Sequence, residues 1–237
     1  TTSVTYDLCA RKISETTSEG LTTTYEYTLP TNNRGVIVTT TLPGGAQQIL
    51  ERNLDGTLKS ISGTAEIPKY YEYGVTETNL SWSRLHYGNI DSTRYQKNFT
   101  NMLGHEVKVE KSGYNGSIVT TENFYDQYGN KIKVDKTGEA SRLYVYDELG
   151  TLIRSGLDVN GNGTLDLASS DRITDSSVLY TQNNGSWWQE SSTSVYGISN
   201  DAAATTTDIT RKRLTGHADN VTQEQIQIDR YGNQTTS

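Results

Sequence analysis

The chain has 237 residues with a formal net charge of −7, and 32% of its residues are hydrophobic. The acidic balance and the absence of a dominant basic patch exclude nucleic-acid binding as an expected function. No apolar run reaches the length of about 18 residues that a membrane span needs, and the single cysteine, Cys9, rules out an internal disulfide.

The polar excess is mostly Thr, Ser, Asn and Gly rather than charge. The chain has 16 Tyr but only two Phe, and 21 Gly but only three Pro. Thr and Tyr favour strands because they pack on a pleated surface and keep a hydroxyl for water or a partner. The composition therefore predicts strands joined by turns that depend on Gly, Asn and Asp.

Segments in which apolar and polar residues alternate appear from one end of the chain to the other, and this period predicts strands. They are Thr24–Leu29, Val36–Leu42, Glu106–Glu110, Lys131–Asp135, Leu143–Tyr146, Thr151–Arg154 and Gln223–Asp229. The segment closest to a helical period runs from Asp201 to Asp208, and its three consecutive threonines disfavour a stable helix.

A turn motif recurs between these segments: Asp or Asn followed three residues later by Gly, in the best copies with Tyr before the Asp. Asp147 is expected to accept hydrogen bonds from backbone amides two residues on, and Gly150 to take the positive φ that closes a hairpin through a G1 bulge. Tyr144 and Tyr146 lie two apart on one strand, so they predict an aromatic ladder on one face of a sheet.

This motif resembles the YD repeat of Rhs proteins, which is also found in the B and C components of bacterial insecticidal toxin complexes and in teneurins. Tyr125–Val134 and Tyr146–Ile153 match it best, whereas Asn53–Leu58 and Asp229–Asn233 are degenerate copies. The resemblance implies an all-β fold in which antiparallel β-hairpin repeats form a long curved sheet, a fragment of a hollow β-shell.

The whole of residues 1–237 is accordingly predicted to be one YD-repeat-type region of a larger protein, since the chain starts without Met and ends inside a repeat unit. The resemblance implies a non-enzymatic wall segment of a secreted or cell-surface bacterial protein. Its expected partners are the remainder of the parent shell and an enclosed toxin domain. The alternative is an adhesin or carbohydrate-binding module that contacts a surface glycan.

One loop interrupts the hairpin rhythm, at residues 158–171. Its oxygen-bearing side chains follow the spacing of an EF-hand or dockerin calcium loop, with Gly163 at the sixth position. The predicted calcium ligands are Asp158, Asn160, Asn162, Thr164 through its carbonyl, Asp166 and Asp171. Asp171 is included because Ser169 stands where the bidentate carboxylate is expected. The alternative is a Gly- and Asn-rich hairpin insertion without metal.

Trp187 and Trp188 form the second candidate site. Adjacent residues of a strand face opposite sides, so one of the two is expected to point away from any core. With nearby Tyr it would provide a stacking platform for sugar rings. The alternative is that both rings are covered by another layer of the parent protein.

The sequence predicts no catalytic residues. Its three histidines are scattered, no zinc-binding spacing is present, and no nucleophile or phosphate-loop motif occurs. Carboxylates are numerous, but the turn aspartates account for the recurring ones. Cys9 is expected to be a small buried side chain.

Overall fold

The structure is a computed structural model that describes residues 2–30, 35–183, 185–197, 202–214 and 223–236. The described chain is all-β, with nineteen strands and one short 3₁₀ turn at Tyr114–Gly116. Every described strand pairing is antiparallel and joins strands that follow one another in the chain. The prediction of an all-β fold built from antiparallel hairpins is therefore confirmed.

The chain divides into two compact units, Thr1–Thr120 and Thr121–Ser237. In the first unit each strand pairs with the next from β1 to β10. These strands are β1 Ser3–Tyr6, β2 Lys12–Thr16, β3 Thr22–Thr28, β4 Val36–Thr41, β5 Gln47–Arg52, β6 Leu58–Ser62, β7 Lys69–Val75, β8 Ser81–Tyr87, β9 Tyr95–Thr100 and β10 Glu106–Ser112.

The second unit begins within β11 and continues the same up-and-down order to β19. Its strands are β11 Ile118–Tyr125, β12 Lys131–Lys136, β13 Ser141–Tyr146, β14 Leu152–Asp158, β15 Arg172–Asn183, β16 Ser186–Tyr196, β17 Thr206–Leu214, β18 Gln223–Asp229 and β19 Gln234–Thr236. The alternating segments of the sequence all fall on strands. Asp201 lies outside the described residues, and the segment that follows it enters β17 rather than a helix.

Nine described turns share one backbone pattern. The first residue donates its N–H to the carbonyl of the fifth, and the fourth residue donates its N–H to the carbonyl of the first. In all nine the fourth residue has a positive φ. The turns begin at Asp7, Thr17, Leu42, Asn53, Thr76, Asn101, Asp126, Asp147 and Asp229. A register shift directly before Asp126 and Asp147 marks the predicted bulge.

Five of these turns are closed by the side chain of their first residue, which is Asp7, Asn101, Asp126, Asp147 or Asp229. In each, Oδ1 accepts the backbone N–H groups of the third and fifth residues at 2.8–3.0 Å. The predicted role of Asp147 is thus confirmed. The amide of Asn233 and then its backbone N–H lower the pKa of Asp229, because both donate to the charged carboxylate.

Two positions depart from the sequence-based expectations. Cys9 is exposed rather than buried, because it is the third residue of the turn at Asp7 and donates its backbone N–H inward to the carboxylate. Ala10 takes the position that Gly occupies in most of the other turns, with a φ of 60°. A residue with a Cβ pays a steric cost in this left-handed region.

Three tyrosines tie successive hairpins together. The hydroxyls of Tyr27, Tyr73 and Tyr146 donate to the first backbone carbonyls of β2, β6 and β12 at 3.1, 2.8 and 3.0 Å. Each of these tyrosines follows the first residue of a turn by twenty positions. Burial raises the pKa of Tyr146, which keeps the hydroxyl protonated as a donor. Ring stacking of Tyr144 and Tyr146 in an aromatic ladder stays a prediction.

The described sheet has little buried core. The cluster of buried apolar residues contains Leu143, Leu165 and Ile173, with Leu167 and Tyr196 packed against it. Many large apolar side chains elsewhere on the strands remain exposed. The low hydrophobic fraction of the sequence therefore corresponds to strands whose faces are largely uncovered within the described chain.

The left-handed turn position gives a direct test of the hairpin design. Gly150→Ala is expected to lower the free energy of unfolding by about 1 kcal/mol, because a Cβ is strained at a φ of 80°. No atom lies within 4 Å of the added Cβ, so the loss is conformational. Ala10→Gly is expected to raise stability. Urea denaturation measures both changes.

Gly44→Ala is the matched control, because Gly44 also has open space around it but lacks a positive φ. It is expected to leave stability unchanged or slightly higher. Equal losses at Gly44 and Gly150 would contradict the assignment of Gly150 to a strained turn position.

Candidate functional site

The loop between β14 and β15 is anchored by two buried aspartates. Asp158 ends β14 and Asp171 immediately precedes β15, and their exposed fractions are 4% and 1%. Among the described ion pairs, neither carboxylate has a Lys, Arg or His partner. Buried carboxylates need dense hydrogen bonding to offset the loss of water, and here backbone amides of the loop supply it.

Asp158 organises the first half of the loop. Its Oδ1 accepts the N–H groups of Gly161 and Asn162 at 2.7 and 3.1 Å, and its Oδ2 accepts the N–H of Gly163 at 2.8 Å. Gly161 and Gly163 have φ values of 74° and 83°, which turn three consecutive amides toward one carboxylate. This is the local reason for the alternation of Asn and Gly in the sequence.

Asp171 joins the start of the loop to its middle. Its Oδ1 accepts the N–H groups of Val159 and Asn160 at 2.9 and 3.3 Å, and its Oδ2 accepts the N–H of Asp166 at 3.0 Å. Ser169 adds a second connection, since its hydroxyl donates to the Asp166 carbonyl at 2.6 Å and accepts the Asp171 N–H at 3.0 Å. Asp171 therefore acts as a clasp for the loop backbone.

The other four predicted ligands form a hydrogen-bonded group on the exposed side of the loop. The Asn162 amide donates to Asp166 Oδ2 at 2.6 Å, and the Thr164 hydroxyl lies 2.8 Å from Asn162 Oδ1 and 3.0 Å from Asp166 Oδ2. Asn160 Oδ1 accepts the Asn162 N–H at 3.0 Å. The Asn162 amide, followed by the Thr164 hydroxyl, lowers the pKa of Asp166.

The loop is seated on the sheet by Leu165. This side chain is 9% exposed and belongs to the cluster with Leu143 and Ile173. Gly156 of β14 makes room for it, because a Cβ there would lie 3.1 Å from Leu165 Cδ2 and 2.4 Å from the Arg172 carbonyl oxygen. The structure thus brings Asn160, Asn162, Thr164 and Asp166 together above Leu165.

Oxygen donors of mixed type, rather than a cluster of carboxylates, characterise the loop. No group of three or more His, Cys, Asp or Glu side chains that could hold a metal ion occurs among the described residues. Any cation bound here would depend on amide and carbonyl oxygens as well as on the carboxylates of Asp158, Asp166 and Asp171. Hard cations such as Ca²⁺ accept such ligands.

The tryptophan pair lies on β16 with its two rings on opposite faces. Trp187 is 52% exposed, whereas Trp188 is half-buried, so the prediction that one ring points outward is confirmed. The register places Tyr180 on the same face as Trp187, and the Gln189 amide donates to the Tyr180 hydroxyl at 3.3 Å. Sugar binding at this face stays a prediction.

His86 is a residue that the sequence analysis did not single out, and the structure buries it beside Glu72 and Arg84. These residues lie on β8 and β7 and line a cavity of about 810 Å³ together with Asp91, Arg94 and Tyr95. Their proximity arises from the cross-strand register Glu72–Arg84. An alternating pattern shows that residues share a face, but it does not specify the opposite residue.

The chain matches no family model and no curated protein. It is similar to the crystal structure of TcdB2-TccC3 without its hypervariable C-terminal region, with 14% identity and a TM-score of 0.32 over 95% of this chain. It is also similar to the crystal structure of TcdB2-TccC3-TEV, with 10% identity and a TM-score of 0.32 over 98% of this chain. The chain spans 13% and 17% of the lengths of those chains.

The contribution of Asp171 to the stability of the loop can be measured apart from any contribution to calcium binding. Asp171→Ala is expected to lower the free energy of unfolding by about 3 kcal/mol, because three backbone N–H groups lose an acceptor whose side chain is only 1% exposed. Asp166→Ala removes an exposed carboxylate and is expected to cost much less. Chemical denaturation of both variants in a calcium chelator measures the difference. Equal losses would contradict the assignment.

Proposed function

We propose that the chain is a structural wall segment of a larger secreted or cell-surface protein and has no catalytic role. The observation that carries this proposal is the repeated hairpin: one turn geometry occurs nine times in the described chain. Repeated supersecondary units of this kind extend a surface by pairing each strand with the next. The repeat therefore supports an architectural role.

The distribution of polar and apolar residues supports the same role. Large apolar side chains remain exposed on many strands, including the described Tyr73, Val145 and Trp187. Such faces call for cover by other parts of a larger assembly. No described helix is long and apolar enough to cross a membrane. The proposed partners are the rest of the parent wall and a domain that it encloses.

The wall proposal is tested with the tyrosine ties. Tyr27→Phe, Tyr73→Phe and Tyr146→Phe together are expected to lower the free energy of unfolding by about 3 kcal/mol, about 1 kcal/mol for each lost hydrogen bond. In a full-length protein that carries this segment, the same changes should increase protease cleavage of the enclosed domain, because the wall opens more often.

Tyr128→Phe is the matched control, since Tyr128 lies in the turn at Asp126 and is 81% exposed. It should change neither stability nor cleavage. A triple variant that loses stability while every other domain of the full-length protein keeps its cleavage rate would confirm the ties and contradict the wall function.

We further propose that the loop at 158–171 binds calcium. Asp158, Asn160, Asn162 and Asp166 would contribute side-chain oxygens and Thr164 its carbonyl, and Asp171 would complete the set from the clasp position. The grouping of the exposed oxygens above Leu165 supports the proposal. So does the absence of a described ion pair at any of the three carboxylates. With two amides in place of carboxylates, the expected affinity is weak, with a dissociation constant of about 10⁻⁴–10⁻³ M.

Calorimetric titration of calcium into chelator-treated protein tests this site. Asn162→Asp is expected to tighten binding about tenfold, because calcium affinity rises with the charge of the ligand set. Asp166→Asn is expected to weaken it, and Asp55→Asn, at a remote turn, should have no effect. Absence of binding heat in both the wild type and Asn162→Asp would contradict the proposal and leave the wall function untouched.

A further inference from the structure

A buried histidine connects two parts of the first unit. His86 on β8 is 6% exposed. Its Nε2 lies 2.8 Å from Oε2 of Glu72 on β7, and its Nδ1 lies 3.2 Å from the backbone oxygen of Ser92. Ser92 belongs to the connection between β8 and β9, residues 88–94. The ring therefore bridges this connection to a neighbouring strand.

The two contacts require two protons. A backbone carbonyl only accepts, so the Ser92 contact needs a proton on Nδ1. The contact with Glu72 needs a second proton between Nε2 and the carboxylate oxygen. A neutral imidazole beside an ionised carboxylate supplies one proton in total. The observed arrangement is therefore completed when the His86–Glu72 pair holds one additional proton.

The charged surroundings favour placing that proton on the ring. The titratable and charged groups around His86 are Tyr70 and Glu72 from β7, Arg84 from β8, Asp91 and Arg94 from the connection, and Tyr95 from β9. The Arg84 guanidinium lies 3.8 Å from the same Oε2 of Glu72 and stacks over the Tyr95 ring at 4.7 Å. A nearby cation stabilises the ionised carboxylate.

We propose that His86 is a proton-dependent latch for the connection 88–94. With the extra proton, the ring holds both Glu72 and Ser92. Without it, the remaining proton stays on Nε2, where the acceptor is charged and the contact is shorter. The Nδ1 lone pair then faces the Ser92 oxygen, and that contact is lost. The latch is closed at acidic pH and open at alkaline pH.

Opening the latch alters a cavity wall. Residues 90–94 line the cavity of about 810 Å³ together with Glu72, Arg84 and Tyr95. The Ser92 contact adds to a few other restraints on the connection, such as the bond from Gly88 N–H to the Pro68 carbonyl at 2.8 Å. Release of Ser92 therefore changes the access to the cavity without unpairing β8 from β9.

Nuclear magnetic resonance tests the latch in the intact chain. The ring nitrogen shifts of His86 should report two N–H groups at about pH 5.5 and a single N–H on Nε2 at about pH 8. The exchange protection of the Ser92 and Arg94 amides, corrected for the intrinsic effect of pH, should fall about fivefold over this range, as expected for the loss of one hydrogen bond.

Glu72→Gln provides the decisive variant. The Gln amide can donate to an unprotonated Nε2, so a neutral ring keeps its proton on Nδ1 and retains Ser92. In this variant the exchange protection of the Ser92 and Arg94 amides should stay the same from about pH 5.5 to about pH 8, because His86 keeps a proton on Nδ1 throughout. His86→Phe should lose the protection at both values of pH.

Two results would overturn the latch. One is a Ser92 contact that survives at alkaline pH beside a neutral ring in the wild type. The other is a pH response in Glu72→Gln that equals that of the wild type. Because Glu72→Gln is expected to fold with the contact intact, the test does not depend on the stability of His86→Phe.

Discussion

The pair of backbone hydrogen bonds that closes each hairpin turn is the constraint on which the rest of the sheet depends. A strand can pair with the next only if the chain reverses within a few residues and keeps its register, and a register error of one residue would invert every face. The shared turn solves both problems because its first residue is bonded to the fourth and the fifth. The positive φ at the fourth residue makes this closure compatible with the twist of the strands.

The side chain of the first residue can stabilise this turn further by accepting hydrogen bonds from its backbone amides. Asp126 and Asn101 make equivalent bonds to two backbone amides, so the oxygen matters more than the charge. Leu42 forms the same backbone turn and has no such oxygen, and Pro43 next to it restricts φ instead. The turn is thus defined by its backbone hydrogen bonds, and several different side chains at the first position are compatible with it.

This explains how far the sequence could predict the fold. Local chemistry is visible in the sequence, so the turns at Asp126 and Asp147 and the alternating strands could be predicted. The turn at Ala10 could not, because nothing in the sequence marks a positive φ at a residue other than Gly or Asn. The tyrosine ties and the His86–Glu72 contact depend on cross-strand register, which single-sequence patterns do not specify.

The loop at 158–171 shows the same limit within one site. Spacing predicted that Asn160, Asn162, Thr164 and Asp166 lie together, and they do so because side chains two residues apart in a tight loop lie on one side. It did not separate Asp171 from them, since the role of Asp171 depends on burial. Leu165 packs on Ile173, and this packing draws the loop down over the Asp171 carboxylate.

The hairpin turns and the loop therefore use one interaction, a carboxylate that accepts backbone N–H groups. The two places differ in how deeply that carboxylate is buried. In the turns the first residue is exposed or half-buried, so water competes for the same amides, and Asn can replace Asp. In the loop the carboxylates of Asp158 and Asp171 are desolvated, and each accepts three N–H groups. The loss of an acceptor is more costly there because water cannot take its place. Burial thus turns an interchangeable turn residue into a residue on which the local fold depends.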